Sequence, residues 1–511
     1  MNRHFKFLKN VIVGLCCLLA AGSCELESET YDRINASIFP KSEADVDALV
    51  TGYAYGVFQN SFYDYMFNAH DGLFLANDLT SDYGMCQDGW SRGDLTFVRY
   101  TQNSSVYTEY IRPSYMYSNW ISKMTLALYR IKDVPMRQEV KDRYNAELRM
   151  GRGWLAYLLY ESFGPIVIAD LETLLNPAEE IILPRLSEED MQTFIETELT
   201  EAAKGLDYNY RKGDANWGRF TKGLANTVLL KFYMHTKQWA KAEAMGRELL
   251  KPEYGYDLVP EYQDIFTLAN EQNIEIIWAA QCVRGYAENQ WHTSVLPADY
   301  NFTPFLNGLT KWNGYKISWP FVNTFDASDK RLQTIVTSYT SKDGVVHNET
   351  NDAYDPSALI YRGAIPLKYE IDPTTTGQTS QVDWIVYRFA DVLTLTAEAI
   401  VRNGNSVTSE AVALLNRVRT RSLPNKAYLQ SNFTGVSDFL TAVLNERGWE
   451  LYFEGARRAD LIRHGVYVEK ILEKAQAHGQ QTLVSEKYLR YPLPQNVIDE
   501  GKGVIEQNPD F

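Results

Sequence analysis

Apolar side chains recur at three- and four-residue intervals over much of the chain, which predicts helices that each bury one face. Val46, Leu49, Val50, Tyr53, Val57 and Phe58 share a stripe over residues 43–58. Met116, Trp120, Met124, Leu128 and Ile131 do the same over residues 115–131. A longer amphipathic stretch, 139–162, runs into Gly164-Pro165, a pair that ends helices.

Two further stretches read as helix hairpins. In residues 222–250, Leu224-Ala225, Leu229 and Phe232-Tyr233 precede a short turn at 235–238, and Trp239, Ala242, Gly246 and Leu249-Leu250 follow it. In residues 391–420, Leu393, Ala397 and Ala399 precede a turn around Gly404, and Ala411, Leu414-Leu415 and Val418 follow. Small residues let two helices cross closely while large ones fill the gaps, a pattern similar to tetratricopeptide repeats.

Residues 252–380 break the helical period. They are rich in Asn, Gly, Thr, Tyr and Trp, with strand-like runs such as 274–278 between long loops. Residues 69–106 share that character, with Asp71, Gly72, Asp78, Asp82, Gly84, Asp88, Gly89 and Gly93. Long irregular segments on a regular scaffold usually carry function. The expected fold is therefore mostly α, a helical repeat scaffold with long irregular loops and a few short strands. No linker is long enough to separate independent domains.

The N-terminus adds a destination. Arg3, Lys6 and Lys9 precede an apolar run from 11 to 21, then Gly22, Ser23 and Cys24. A cationic start, a short apolar run and small residues predict a secretory signal over residues 1–23. The run is too short for a membrane span, which needs about 20 apolar residues. A cysteine just after the small residues resembles a lipobox, so Cys24 is the expected lipidation site. Ala21 stands where Leu is commoner, and an ordinary signal with an incidental cysteine is the alternative. Stable anchoring by acyl chains takes more than one chain.

Charge and cysteine count narrow the partners. Removing residues 1–23 deletes three basic and no acidic residues, so the net charge falls from −15 to −18. That argues against nucleic acid, which needs clustered Lys and Arg. Of five cysteines, Cys24, Cys86 and Cys282 would remain, which leaves one conceivable disulfide and no disulfide framework.

Six blocks, in order, are similar to the SusD/RagB family of outer-membrane lipoproteins. They are ELRMGRGWLAYLLYESFGPIVIA at 147–169, WGRFTKGLANTVLLKFYMHTKQWA at 217–240, VYRFADVLTLTAEAI at 386–400, VALLNRVRT at 412–420, NERGWELYFEGARRADLIRH at 445–464 and YPLPQNVIDEGKGVIEQNPDF at 491–511. Thr394 and Thr396 polarise a helix that is usually more apolar in the family. The resemblance covers nearly all of residues 24–511. It implies a single domain of about four tetratricopeptide-like helix pairs, anchored in the outer membrane and facing the cell exterior. It also implies capture of a nutrient, an oligosaccharide above all, and delivery to a SusC-like TonB-dependent outer-membrane transporter. No cofactor and no catalytic residue are implied.

Catalytic and metal signatures are weak. Glu446, Glu450 and Glu454 fall four apart, with Arg458 placed to pair with Glu454. Paired carboxylates can serve glycoside hydrolysis. A structural charge network is the reading favoured here, and an anchored glycoside hydrolase is the alternative. Asp326, Asp329 and Arg331 suggest a cap or loop clasp, since two carboxylates do not define a cation site. Neither HExxH, a Cys/His cluster nor G-x-S-x-G occurs.

Aromatic and planar polar residues on loops suit sugar, whose apolar face stacks on Trp or Tyr while its hydroxyls meet Asp, Asn or Arg. Tyr and Trp number 34 and 11, high for this length. The candidate ligand contacts are Asn77, Asp78, Asp82, Trp90 and Arg92 in the first segment, and Trp291, Tyr300, Trp312 and Tyr315 in the second. Any one of these aromatics could equally pack in the core. Trp90, Trp291 and Trp312 lead, and a peptide or glycopeptide is the alternative ligand.

Overall fold

The computed structural model describes residues 39–59, 66–87, 89–176, 178–301, 308–353, 355, 358–375 and 377–511. The expected signal and Cys24 lie outside the described residues. Helices of seven residues or more are α1 Glu43–Val50, α2 Leu73–Leu79, α3 Asn119–Ile131, α4 Gln138–Phe163, α5 Glu188–Gly205, α6 Lys222–His235 and α7 Trp239–Leu249. They continue with α8 Phe389–Gly404, α9 Ser409–Ser422, α10 Val436–Glu450, α11 Arg457–Arg463 and α12 Tyr467–Ala477. None of the described helices is long and apolar enough to cross a membrane.

From α3 to α9 each helix packs on the next, while α4 meets α6, α6 meets α8, and α8 meets α10. Two staggered rows result, the layering of a helical repeat. Ser187, Thr221 and Thr408 cap α5, α6 and α9 by accepting a backbone N–H from the third residue on. The turn after α8 places Asn405, not Gly404, in the left-handed conformation (φ 45°). Asn tolerates it because its short side chain bonds locally.

Gly246 of α7 faces Thr396 of α8 so closely that an added Cβ would overlap the threonine hydroxyl. Gly246→Ala should cost about 1–3 kcal/mol through overpacking, read as a lower midpoint in urea unfolding with an unchanged slope. An unchanged midpoint would show that these two helices can slide apart freely.

The strands are β1 Gly84–Cys86, β2 Ile276–Ala280, β3 Tyr315–Ser318, β4 Ile335–Val336, β5 Ser338–Thr340, β6 Val346–Asn348, β7 Gly363–Pro366 and β8 Trp384–Arg388. β1, β3, β7 and β4 form one antiparallel sheet, while β2 pairs with β8 and β5 with β6. Cys86 ends β1 of the four-stranded sheet, while Cys282 lies two residues past β2, which among the described strands pairs only with β8.

Ser42–Phe511 is one compact unit. Trp154 of α4 sits at its centre. Phe58 stacks on it at 4.3 Å, and Trp278 of β2 meets it edge-on at 5.1 Å. Its indole N–H donates to the Tyr387 hydroxyl of β8 at 3.2 Å. Scaffold and β segment thus share one core.

Two local expectations are corrected. The segment expected to be irregular over 69–106 contains α2, whose seven side chains are all buried. With no polar face there is no period to read. Glu454 does not continue the face of Glu446 and Glu450, because the chain leaves the helix after Glu450 and passes through positive φ at Phe453 (53°) and Gly455 (75°). Glu454 pairs with Lys368 at 2.7 Å and Arg388 at 2.7 Å, and Arg458 instead donates to the Tyr488 carbonyl.

Those acids lie inside a sealed network. Arg388 reaches Glu275 at 2.8 Å and Glu450 at 2.5 Å. Arg331 reaches Asp329 at 2.7 Å, Glu446 at 2.6 Å and Glu450 at 3.2 Å. Arg421 pairs with Glu275 at 2.6 Å and also with Glu450. The side chains of Arg331, Arg388, Glu275, Glu446 and Glu450 are 0% exposed. Asp329 also caps the short turn that follows it, accepting from Arg331 N, which is the clasp expected there.

Candidate functional site

The register of β1 on β3 decides which loops meet. Cys86 stands opposite Tyr315, so the chain after β1 and the chain before β3 leave the sheet at the same end. Gln87 N–H donating to Gly314 O at 2.7 Å extends that pairing by one step. Trp90 and Trp312 are thereby brought together, with ring centroids 6.4 Å apart and planes at 62°. Both indoles remain partly exposed.

Backbone bonds hold Trp312 from behind. Trp312 N donates to Thr293 O at 2.7 Å, Asn313 N to Leu296 O at 2.9 Å and Gly314 N to Ser294 O at 2.6 Å. The buried Lys316 Nζ donates to the carbonyls of Val295, Asn313 and Tyr315 at 3.2–3.3 Å. Burial pushes its pKa down to about 7.

A Cβ on Gly314 would come within 2.5 Å of the Trp90 ring and 2.9 Å of Ser294 O. The ring lies directly on the glycine. Gly314→Ala should displace Trp90 and weaken ligand binding about tenfold, the equivalent of about 1.4 kcal/mol, with the circular dichroism spectrum unchanged. Unaltered binding by calorimetry would remove Trp90 from the site.

His70 closes the floor. Its ring is 4.9 Å from Trp312 and 5.7 Å from Trp90, and the Tyr315 hydroxyl donates to its carbonyl at 2.6 Å. Ser294 Oγ donates to Gln290 O at 2.7 Å, so towards His70 Nδ1, also at 2.7 Å, it accepts. His70 Nε2 then carries the lone pair and accepts from Arg92 Nη2 at 3.1 Å. Burial, and secondarily the charge of Arg92, hold the imidazole neutral with a pKa near 2.

Arg92 also pairs with Asp71 and stacks on Tyr110 at 3.9 Å and on Trp90 at 5.1 Å. The Asn313 side chain is buried, at 5% exposure, and among the described residues neither its oxygen nor its nitrogen has a partner. A buried amide left so costs about 1–3 kcal/mol. The arrangement offers two tilted indole faces, a fixed guanidinium beside them and an amide next to Trp312 in sequence.

Four of the sequence candidates, Trp90, Arg92, Trp312 and Tyr315, therefore meet here. The others are placed elsewhere. Asn77 accepts from the Tyr491 hydroxyl at 2.9 Å. Asp78 is 1% exposed and accepts from the Tyr83 hydroxyl and from Gly455 N. Burial raises it to about 7 against those bonds. Asp82 forms a two-point pair with Arg457 at 2.9 and 2.7 Å. Trp291 is 1% exposed, packed on Trp384 and Phe453 at 5.3 and 5.2 Å. Tyr300 packs on Tyr339 at 5.1 Å. His70, Tyr110 and Lys316 were not singled out from sequence. The run His70-Asp71-Gly72 in a polar segment was the available signal for the first of them. No group of three or more His, Cys, Asp or Glu able to hold a metal occurs among the described residues.

Comparison with known proteins fits this construction. The SusD family model matches residues 274–511. SusD-like protein P25 of Formosa agariphila is 23% identical, with 98% of each chain covered. A SusD homolog from Bacteroides thetaiotaomicron superposes with a TM-score of 0.75 at 21% identity, covering 94% of this chain and 99% of its own. Surface glycan-binding protein A from the same organism, solved with laminarihexaose, gives 0.72 at 18% identity, covering 92% and 100%. Residues 274–511 thus match the SusD family, and the chain along its whole length is similar to SusD-like proteins.

Proposed function

We propose that this protein captures an oligosaccharide without cutting it and passes it to a SusC-like TonB-dependent transporter. In this reading it is held at the outer face of the outer membrane by lipid on Cys24. The observation that carries the capture reading is the pair of partly exposed indoles, Trp90 and Trp312, fixed 6.4 Å apart beside Arg92. Two inclined aromatic faces fit successive rings of a curved sugar chain, and the guanidinium and the Asn313 amide suit its hydroxyls. The laminarihexaose complex of a protein with this fold supports the ligand class.

Cleavage is disfavoured by where the acids are. Glu446 and Glu450 are 0% exposed and salt-bridged to arginines, and Glu450 lies near pKa 2, too low to donate a proton at neutral pH. Asp71, the carboxylate beside the indoles, is paired with Arg92. Glycoside hydrolysis needs two acids flanking the bond, one of them protonated.

The test is calorimetric titration of residues 25–511 with purified oligosaccharides, followed by product analysis of the same samples. Saturable heat with intact sugar is expected. Shorter products would overturn the non-catalytic reading, and binding of peptides but no glycan would overturn the ligand class.

A further inference from the structure

The segment that leads into the site carries a second aromatic surface. After β2 the chain closes a small hairpin over residues 283–287, with Val283 N to Ala287 O at 2.6 Å and Ala287 N to Val283 O at 3.0 Å. Gly285 makes the turn at φ 78°. At its tip Tyr286 is 90% exposed, and Val283 beside it is 55% exposed. This exposure is not that of a loose loop. Arg284 braces the hairpin by donating to Thr374 O at 2.7 Å, Thr374 Oγ1 at 2.6 Å and Asp372 Oδ2 at 3.0 Å. The Asp372 side chain is itself 0% exposed. A rigid support that offers a bare aromatic ring to solvent is suited to stacking.

A cleft of about 380 Å³ opens next to this ring, lined by Trp217, Gly218, Gln281, Tyr55 and Val283 as well as Tyr286. Trp217 is partly exposed and Gln281 exposed. Gly218 (φ 92°) leaves room for the glutamine, since a Cβ there would fall 2.5 Å from its Oε1. Arg219, also on the wall, is occupied by Glu147 at 2.9 Å and by Asp47. Among the described residues the cleft therefore presents aromatic faces and a neutral amide without a free charge, the lining expected for an uncharged saccharide.

We propose that this cleft is a second sugar-contact site, which stacks a further stretch of the same glycan on Tyr286 and Trp217. The proposal rests on the glycan reading of the Trp90 and Trp312 site. Tyr286 stands eight residues before Ser294, which bonds His70 beneath that site. An extended chain of eight residues spans at most roughly 29 Å, which bounds the distance from Tyr286 to the residue beneath the first site. Two linked contacts raise affinity for a long chain without changing affinity for a short one.

The experiment compares polysaccharide and oligosaccharide binding. Wild type, Tyr286→Ala, Gln281→Ala and the double variant Trp90→Ala/Trp312→Ala are run through native gels cast with laminarin, amylopectin, xylan or galactomannan. Each is also titrated by calorimetry with hexasaccharides of the polymers that retard the wild type. Tyr286→Ala should weaken polymer binding at least about fivefold while hexasaccharide affinity stays within about twofold. The double variant should lose the hexasaccharide. If Tyr286→Ala and Gln281→Ala are retarded like wild type, the second site is overturned and the first stands. If Tyr286→Ala also loses the hexasaccharide, the two surfaces are one site and the proposal fails. If no polymer retards the wild type, both readings fail together. Because Tyr286 is almost wholly exposed, its loss leaves the fold untouched.

Discussion

Replacing Glu450 with alanine should destabilise the protein by about 3–5 kcal/mol, the usual cost of removing one member of a buried ion pair. The side chain meets Arg388 at 2.5 Å, Arg331 at 3.2 Å and Arg421, all in the interior. Its loss removes one carboxylate from each of three buried guanidinium groups, which keep Glu275, Glu454, Asp329 and Glu446 as their remaining partners. The same carboxylate makes stability acid-sensitive. Burial acts to raise its pKa, but Arg421, Arg388 and Arg331 outweigh burial and hold it near 2, below the ordinary 4.5. A carboxyl depressed on folding contributes stability that is present above its unfolded value and is lost as pH falls towards its folded one. Asp460, held down by Arg447 and Arg463 against burial, acts in the same direction. Unfolding midpoints should therefore fall from pH 4.5 towards pH 2 in the wild type, and less steeply in Glu450→Gln. Parallel slopes for the two would remove Glu450 as a source of the acid sensitivity.

The second large effect concerns binding. Trp312→Ala should weaken oligosaccharide affinity at least about tenfold, or about 1.4 kcal/mol, and the double variant with Trp90→Ala should leave no measurable heat. Neither side chain is sealed in the core, so the melting temperature should stay close to wild type. Trp291→Ala should behave in the opposite way. That ring is packed between Trp384 and Phe453, and its removal should cost about 3–5 kcal/mol of stability. A double variant with wild-type affinity would move the ligand elsewhere on the molecule.

How much of this was legible beforehand depends on what each segment exposes. The hairpins at 222–250 and 391–420 were readable because their helices keep small residues at the crossings, such as Gly246, between larger apolar ones. α2 was hidden because it is buried on every side. Glu454 was misplaced because two positive φ angles, at Phe453 and Gly455, interrupt a spacing that looks helical on paper. In the site, Trp90, Arg92, Trp312 and Tyr315 were visible as aromatic and planar groups in the irregular segments, though Tyr315 opens β3. Nothing in their neighbourhood separated them from Trp291, since exposure is set by strand register and not by local composition. His70 and Lys316 act beneath the surface, where one histidine or one lysine carries no pattern.

The openness of the indole pair has a kinetic meaning. Trp90 and Trp312 are only partly covered, so on the proposed reading a sugar stacked on them can lift off without the described residues around them having to open. With an association rate of about 10⁶ M⁻¹s⁻¹, a dissociation constant near 10 µM corresponds to a residence time of roughly a tenth of a second. On the proposed handover to a transporter, such brief dwell times favour the transfer. A pocket that enclosed the sugar would hold it longer and set the pace of every later step.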